Sequence, residues 1–353
     1  MTRIELRQRL FDLENARQGD DWPGEMIRVV AEAGCFRTVI PKRFGGCPIA
    51  PAEQIGIYED VAAGSFATAL ILTQHDGACE LIACCDNDAL AADVLPRVAR
   101  GEVLATVGIS QLTTSRRGSG PLMTVRRVDG GFRLDGLMPW VTSSPRADYI
   151  VTGGVLEDGL QILACVERTA PGVIVAEPMR FAALTHSHTG EIRCEGVQVT
   201  EKNLMRGPVE RALALRAPVK PLSVSAVGMG LAGALIGAIR DRLATTDHPF
   251  QDVFDAATAE YEAVRSRLYA AADSLSDPAA ELPSMEIRVA VNALLTRLAA
   301  TNLTLAKGSG YRLGHPAQRL AREAMFFLVW SAPPQVQQGT MRDLWNLSAA
   351  PAT

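Results

Sequence analysis

The apolar positions of this chain change their spacing twice along its length. Over the first hundred residues they recur every three to four positions, in segments near 2–18, 22–34, 51–62, 64–81 and 87–100. That period is the mark of amphipathic helices. Gly34, Pro41, Gly45-Gly46 and Asp86-Asn87-Asp88 punctuate them, and residues 34–46 read as an extended connector. From Leu104 to Val199 the period drops to two, in short runs such as ATVGIS, GFRLDG and QILACVE bounded by glycine, proline and aspartate. Such a density of strands and turns predicts a compact β domain of sandwich or barrel type. After Pro208 the helical period returns near 208–246, 249–276, 284–306, 316–330 and 333–346. Long helices with short connections predict a bundle. The expected fold is therefore mainly α with a central β domain, divided as 1–103, 104–207 and 208–353.

The stretch from Arg126 to Gly154 holds the sharpest local signal. Asp129-Gly130-Gly131 between alternating apolar residues predicts a hairpin. Its second strand ends in Trp140-Val141-Thr142, and residues two apart on an extended chain share a side. An indole and a hydroxyl there would offer a planar ligand a wall and a hydrogen bond. The plain alternative is a hairpin whose Trp140 plugs a core.

Composition narrows the partners. The chain has 353 residues, 48% of them hydrophobic, and a net charge of −4, which argues against nucleic acid or an anionic membrane as the main partner. No apolar run reaches bilayer-spanning length in this reading. The polar, acidic start lacks the pattern of a targeting signal, so a cytoplasmic location is expected. Seven scattered cysteines, with Cys84 beside Cys85, match neither a zinc site nor a C-x-x-C redox pair. His186 and His188 stand two apart and would face one way from a strand, but no third metal ligand lies near them in sequence.

The order helical domain, β domain, helical bundle, with Trp140-Val141-Thr142 closing a middle-domain strand, resembles the acyl-CoA dehydrogenase family. Further matches follow in order: Ala226-Val227-Gly228, Gln251, Gly308-Ser309-Gly310, His315-Pro316, Arg319, Arg322-Glu323-Ala324 and Gly339-Thr340. The resemblance implies a four-helix bundle at the C-terminus and FAD as cofactor. Trp140 and Thr142 would lie against the flavin ring and Ser110 beside its pyrimidine. Ser119 and Arg117, in the hydroxyl-rich loop 111–121, would meet the pyrophosphate or the acyl substrate. Gly308, Ser309 and Gly310 would reach the flavin of a neighbouring subunit, so a homodimer or homotetramer is implied. An acyl-CoA or acyl-carrier-bound substrate follows, with an electron-transfer partner or oxygen as acceptor.

Two departures bear on the reaction. The family's Arg-x-x-Phe-Gly segment is shortened here to residues 245–250, without arginine, which implies FAD that is weakly bound or supplied as reduced flavin. The family's catalytic glutamate precedes a Gly-Thr pair, and Gln338 precedes Gly339-Thr340 here; an amide accepts no proton at neutral pH. The alternative base position, around residues 217–221, holds no acid either. Three readings follow. Glu323 or Glu260, expected on solvated or salt-bridged helix faces, serves as base. Or the chain is a flavin-dependent monooxygenase of the same superfamily, with His75 and Ser110 facing the flavin. Or it is a non-catalytic binding or scaffold relative.

Overall fold

A computed structural model describes residues 1–17, 19–112, 121–214, 220–244, 250–277 and 282–347. Five helices come first: α1 (Arg3–Ala16), α2 (Gly24–Glu32), α3 (Pro51–Gly64), α4 (Phe66–Ala83) and α5 (Asp88–Ala99). Their starts follow from side chains that satisfy the free N–H groups of a first turn. Thr2 and Glu5 form a capping box on α1, Ser65 caps α4, and Asn87 caps α5. All five match the helical period of the sequence.

Eight strands follow: β1 (Ala105–Gly108), β2 (Met123–Val128), β3 (Gly131–Val141), β4 (Tyr149–Leu156), β5 (Gln161–Glu167), β6 (Val173–Val175), β7 (Gly190–Val199) and β8 (Leu204–Val209). They join in one mixed sheet in the order β6-β7-β3-β2-β4-β5-β8, with β1 pairing β4. The β2–β3 hairpin turns at Asp129-Gly130, because Val128 pairs with Gly131. Gly131 is obligatory: a Cβ there would come within 2.0 Å of the Val199 carbonyl oxygen. The pairings of β1 and β2 with β4 are parallel, a feature the hairpin pattern did not announce.

The bundle comprises α6 (Lys220–Ala244), α7 (Gln251–Asp273), α8 (Ser284–Ala306), α9 (Pro316–Phe326) and α10 (Pro334–Leu344). One boundary moves. Pro208 does not open a helix; it lies in β8, which pairs only with β5 at the end of the sheet and runs past 207 to Val209. A proline is tolerated on such an edge strand because its missing N–H interrupts no inner ladder.

The three segments do not keep three separate cores. Leu10, Val61, Phe66 and Leu72 of the N-terminal helices share one apolar cluster with Leu231, Leu235, Leu268, Leu294 and Phe327 of the bundle. The other side of α4 packs with α5 on β1, β4 and β5 through Ile82, Leu95, Val151 and Leu163. A second correction concerns length and hydropathy. The helices Pro221–Ala244 and Ser284–Tyr311 are long and apolar enough to cross a bilayer. Their apolar residues, among them Leu231, Leu235, Val291 and Leu298, are spent instead on the bundle core.

Candidate functional site

The end of β3 presents its residues unequally. Trp140 is 55% exposed, and its ring lies 6.2 Å from that of Phe181 at 35°. Thr142 is buried. Its carbonyl accepts from the Thr106 hydroxyl at 2.8 Å, which ties it to β1. Its Oγ1 accepts from the Thr189 hydroxyl at 3.3 Å, and Ser187 Oγ lies 2.8 Å from that of Thr189. The hydroxyl chain therefore leaves the Thr142 hydrogen free to be donated elsewhere. The backbone just beyond is clamped: Ser143 N–H donates to the Ser187 carbonyl, Ser144 N–H donates to that of His188, and Ser143 has φ 63°. Ser110 opens a short 3-10 turn, Ser110–Leu112, that packs against β3, the strand that carries Trp140. Gln111 anchors that turn by donating to the Gly108 and Gly153 carbonyls.

Arg117 and Ser119 fall outside the described residues, as do positions 217–219 and 245–249. Gly308, Ser309 and Gly310 form a 3-10 turn at the end of α8, packed on α8 and α9; Ser309 Oγ donates to the Ala306 carbonyl at 2.6 Å. Gln338 is an exposed residue inside α10, and Gly339-Thr340 continue that helix rather than a loop. Gly339 packs on Val289, and Thr340 accepts from Asn292 Nδ2 at 3.0 Å.

The acids and histidines also sort themselves. Glu260 is paired with Arg297 at the surface. Glu323 departs from expectation: it is 1% exposed. His75 is fully buried against Phe36, with Nδ1 3.1 Å from the Ala105 backbone N–H, and burial pushes it down to about 4. It is a packed, neutral residue. His186 and His188 are not on a strand, and both meet the connection between α1 and α2. They belong to a 3-10 turn and its cap, where His188 Nε2 bonds the Asp20 carbonyl and His186 meets Arg17. Among the described residues no group of three His, Cys, Asp or Glu is arranged to hold a metal.

Sequence reading missed a charge cluster where the N-terminal helices, the β domain and the bundle converge. Glu14 of α1 receives the Ser65 hydroxyl at 2.8 Å and lies 3.4 Å from Arg17, 3.8 Å from Arg319 and 3.9 Å from His186. Arg319 also lies 3.4 Å from Glu323, one helical turn on. Burial works against ionisation of Glu14, yet His186 when protonated, Arg319, Arg17 and the Ser65 hydroxyl together hold it below its ordinary value. Burial pushes Glu323 up to about 7 against the pull of Arg319. Burial pushes His186 down to about 4, opposed by Glu14. The cluster lines a cavity of about 1380 Å³ that also meets α6 and α7. Segment 180–189 separates the two regions. Its Phe181 and Thr189 touch Trp140 and Thr142, while its His186 faces the cluster.

The acyl-CoA dehydrogenase N-terminal domain model matches residues 4–102. Benzylmalonyl-CoA dehydrogenase of Aromatoleum aromaticum is 23% identical over 89% of this chain and 88% of its own length. A pigment production hydroxylase of a Rhodococcus species is 25% identical over 92% and 91%. The solved structure of a glutaryl-coenzyme A dehydrogenase–glutaryl-CoA complex superposes with a TM-score of 0.84 over 98% of this chain and 94% of that one, at 20% identity, which shows the shared fold. Its N-terminal helices match the acyl-CoA dehydrogenase N-terminal domain, and its full-length relatives and fold support an acyl-CoA dehydrogenase-like family.

Proposed function

We propose that the protein is a flavin-dependent oxidoreductase acting on an acyl thioester or a related small organic substrate. The observation that carries this reading is the exposed indole of Trp140 beside the buried, donor-ready hydroxyl of Thr142. Large aromatic rings are normally buried for their apolar area, so one left open at a strand end is suited to a flat ligand. The residues present fit a flavin ring. Trp140 and Phe181 supply an aromatic wall, Thr142 a hydrogen bond, and Ser110 a second polar group on the turn that packs against β3. A flavin held there would supply the hydride acceptor. This chain's own part is to orient the ring through Thr142 and its partner Thr189, and to shield one face with Trp140. The turn at Gly308-Ser309-Gly310 would serve the flavin of a neighbouring copy, as the family resemblance implies.

Full-length likeness to a benzylmalonyl-CoA dehydrogenase supports a thioester substrate. Likeness of equal extent to a hydroxylase favours a second reading, oxygen activation with reduced flavin, which needs no carboxylate over the substrate. The two separate in one experiment. Flavin-loaded protein is mixed anaerobically with a panel of acyl-CoA thioesters, and the oxidised-flavin absorbance is followed. Bleaching by a thioester supports dehydrogenation. No bleaching, together with oxygen consumption on adding reduced flavin and substrate, supports oxygenation. The absence of both responses would refute an oxidoreductase of either kind.

A further inference from the structure

Away from the charge junction around Glu14 and Glu323, Asp76 of α4 is buried, with 1% exposure. Its Oδ2 accepts from the Tyr58 hydroxyl at 2.7 Å and from Gln54 Nε2 at 3.1 Å, both on α3. Its Oδ1 is buried without a donor, and so is Gln54 Oε1, the other end of the same amide. A carboxylic acid and a primary amide can close a ring of two hydrogen bonds. One of the two is present here, and the atoms left over are those that the second would join. Turning the amide over would set Oε1 against Oδ2 at 3.1 Å, a contact between oxygens that again calls for a proton. The groups around Asp76 supply no countercharge. Tyr58 comes from α3, Cys35 from the 3-10 turn Cys35–Arg37, and Cys79 and Glu80 from α4 itself. His75, beside it in sequence, is neutral and bonds Ala105 of β1 instead. An ionised Asp76 would be an unpaired buried charge near a second acid, which is strongly unfavourable. Burial, helped by Glu80, pushes the carboxyl well above its ordinary value against the pull of the Tyr58 hydrogen bond.

We infer that Asp76 is held as the neutral acid and donates from Oδ1 to Gln54 Oε1, so that one stored proton locks α4 to α3. The lock sits on the helix that seats β1. His75 ties α4 to Ala105, and the next residue of β1, Thr106, holds the Thr142 carbonyl at 2.8 Å. Losing the proton at high pH would leave two orphaned acceptors and a charge in the α3–α4 contact, and would loosen the support of that strand. The inference does not depend on a flavin.

Asp76→Asn tests it, because an asparagine amide accepts through its oxygen and donates through its nitrogen as the neutral acid does. Urea denaturation of the purified full chain is compared with that of the variant between about pH 5 and about pH 7. An unfolded aspartate titrates at about 4, so over that range wild type takes up one proton at this position on folding and the variant takes up none. The folding constant of Asp76→Asn relative to wild type should therefore rise about tenfold per pH unit. Should the variant fail to fold, the infrared spectrum of wild type decides. At about pH 8, where exposed carboxyls are ionised and Glu323 mostly so, the carbonyl band of one protonated carboxyl should remain. A ratio that does not change with pH, or no protonated carboxyl at about pH 8, would mean an ionised Asp76 served by internal water and would overturn the lock.

Discussion

The hydroxyl of Thr189 donates to that of Thr142 across 3.3 Å, so the residue just past β3 is oriented by a segment that also forms one wall of the charge junction. Removing the oriented donor should affect chemistry more than stability. Thr142→Val is expected to lower the rate of flavin reduction by roughly 10²-fold, the scale for losing one preorganised donor. Thr189→Val, which only loosens the orientation, should cost about tenfold. Rapid-mixing absorbance on both variants, with melting curves as the control for folding, checks this. Equal rates in all three proteins would remove Thr142 from the mechanism.

The buried pair His186 and Glu323 should give stability two opposing dependences on pH. Glu323 has a folded value near 7, above the ordinary carboxyl, so its contribution is full at low pH and is lost as pH rises through 7. His186 has a folded value near 4, below ordinary imidazole, so its contribution is full above about 6.5 and is lost as pH falls toward 4. Between those limits the losses largely offset, because folding moves a proton from one group to the other. Glu323→Gln should therefore be more stable than wild type by about 1–3 kcal/mol at about pH 8, with the gap closing toward pH 5. Urea midpoints across that range measure it; a gap that widens on acidification would contradict the assignment.

Glu59 of α3 is held by Arg265 at 2.6 and 3.0 Å, by Tyr269 at 2.6 Å and by Tyr261 at 3.1 Å, all from α7. Those four bonds bind the N-terminal helices to the bundle beside their shared core. Glu59→Ala takes the carboxylate acceptor from four donor groups on three residues and should cost about 2–3 kcal/mol, less than a fully buried pair because Arg265 is partly exposed. Denaturation should nevertheless remain one cooperative step. An early, separate loss of the N-terminal helices would show that the common core is weaker than its packing indicates.

Gln338→Glu should leave turnover unchanged, since the side chain is exposed on α10. A gain of thioester dehydrogenation in that variant, read by the same bleaching assay, would place α10 over the substrate.

How much of this was legible in the sequence depends on the range of the interaction. The five N-terminal helices and the Asp129-Gly130 turn are written in local period and turn chemistry, and both appear as expected. Pro208 misled because its neighbours read as helical, while only the sheet's edge explains its place. The parallel pairing of β1 with β4 joins strands far apart in the sequence, which no strand's own pattern encodes. For the site, Trp140 and Thr142 could be picked out because two residues on one strand carry the signal. The charge junction could not: Arg17 and His186 are 169 positions apart, and only Arg319 and Glu323 share a helix face. Glu323 looked like a solvated helix residue because its surroundings, α8, α6 and the Glu14 and Arg17 side chains at the end of α1, come from other parts of the chain.

The most direct measurement is the visible spectrum of the purified, undenatured protein, before and after adding FAD and removing the excess. A flavin spectrum retained by the wild type, and reduced in Trp140→Ala, is what the account predicts; weakly held flavin would appear only after addition. A protein that stays colourless with FAD and also fails to bind reduced flavin in titration would contradict it.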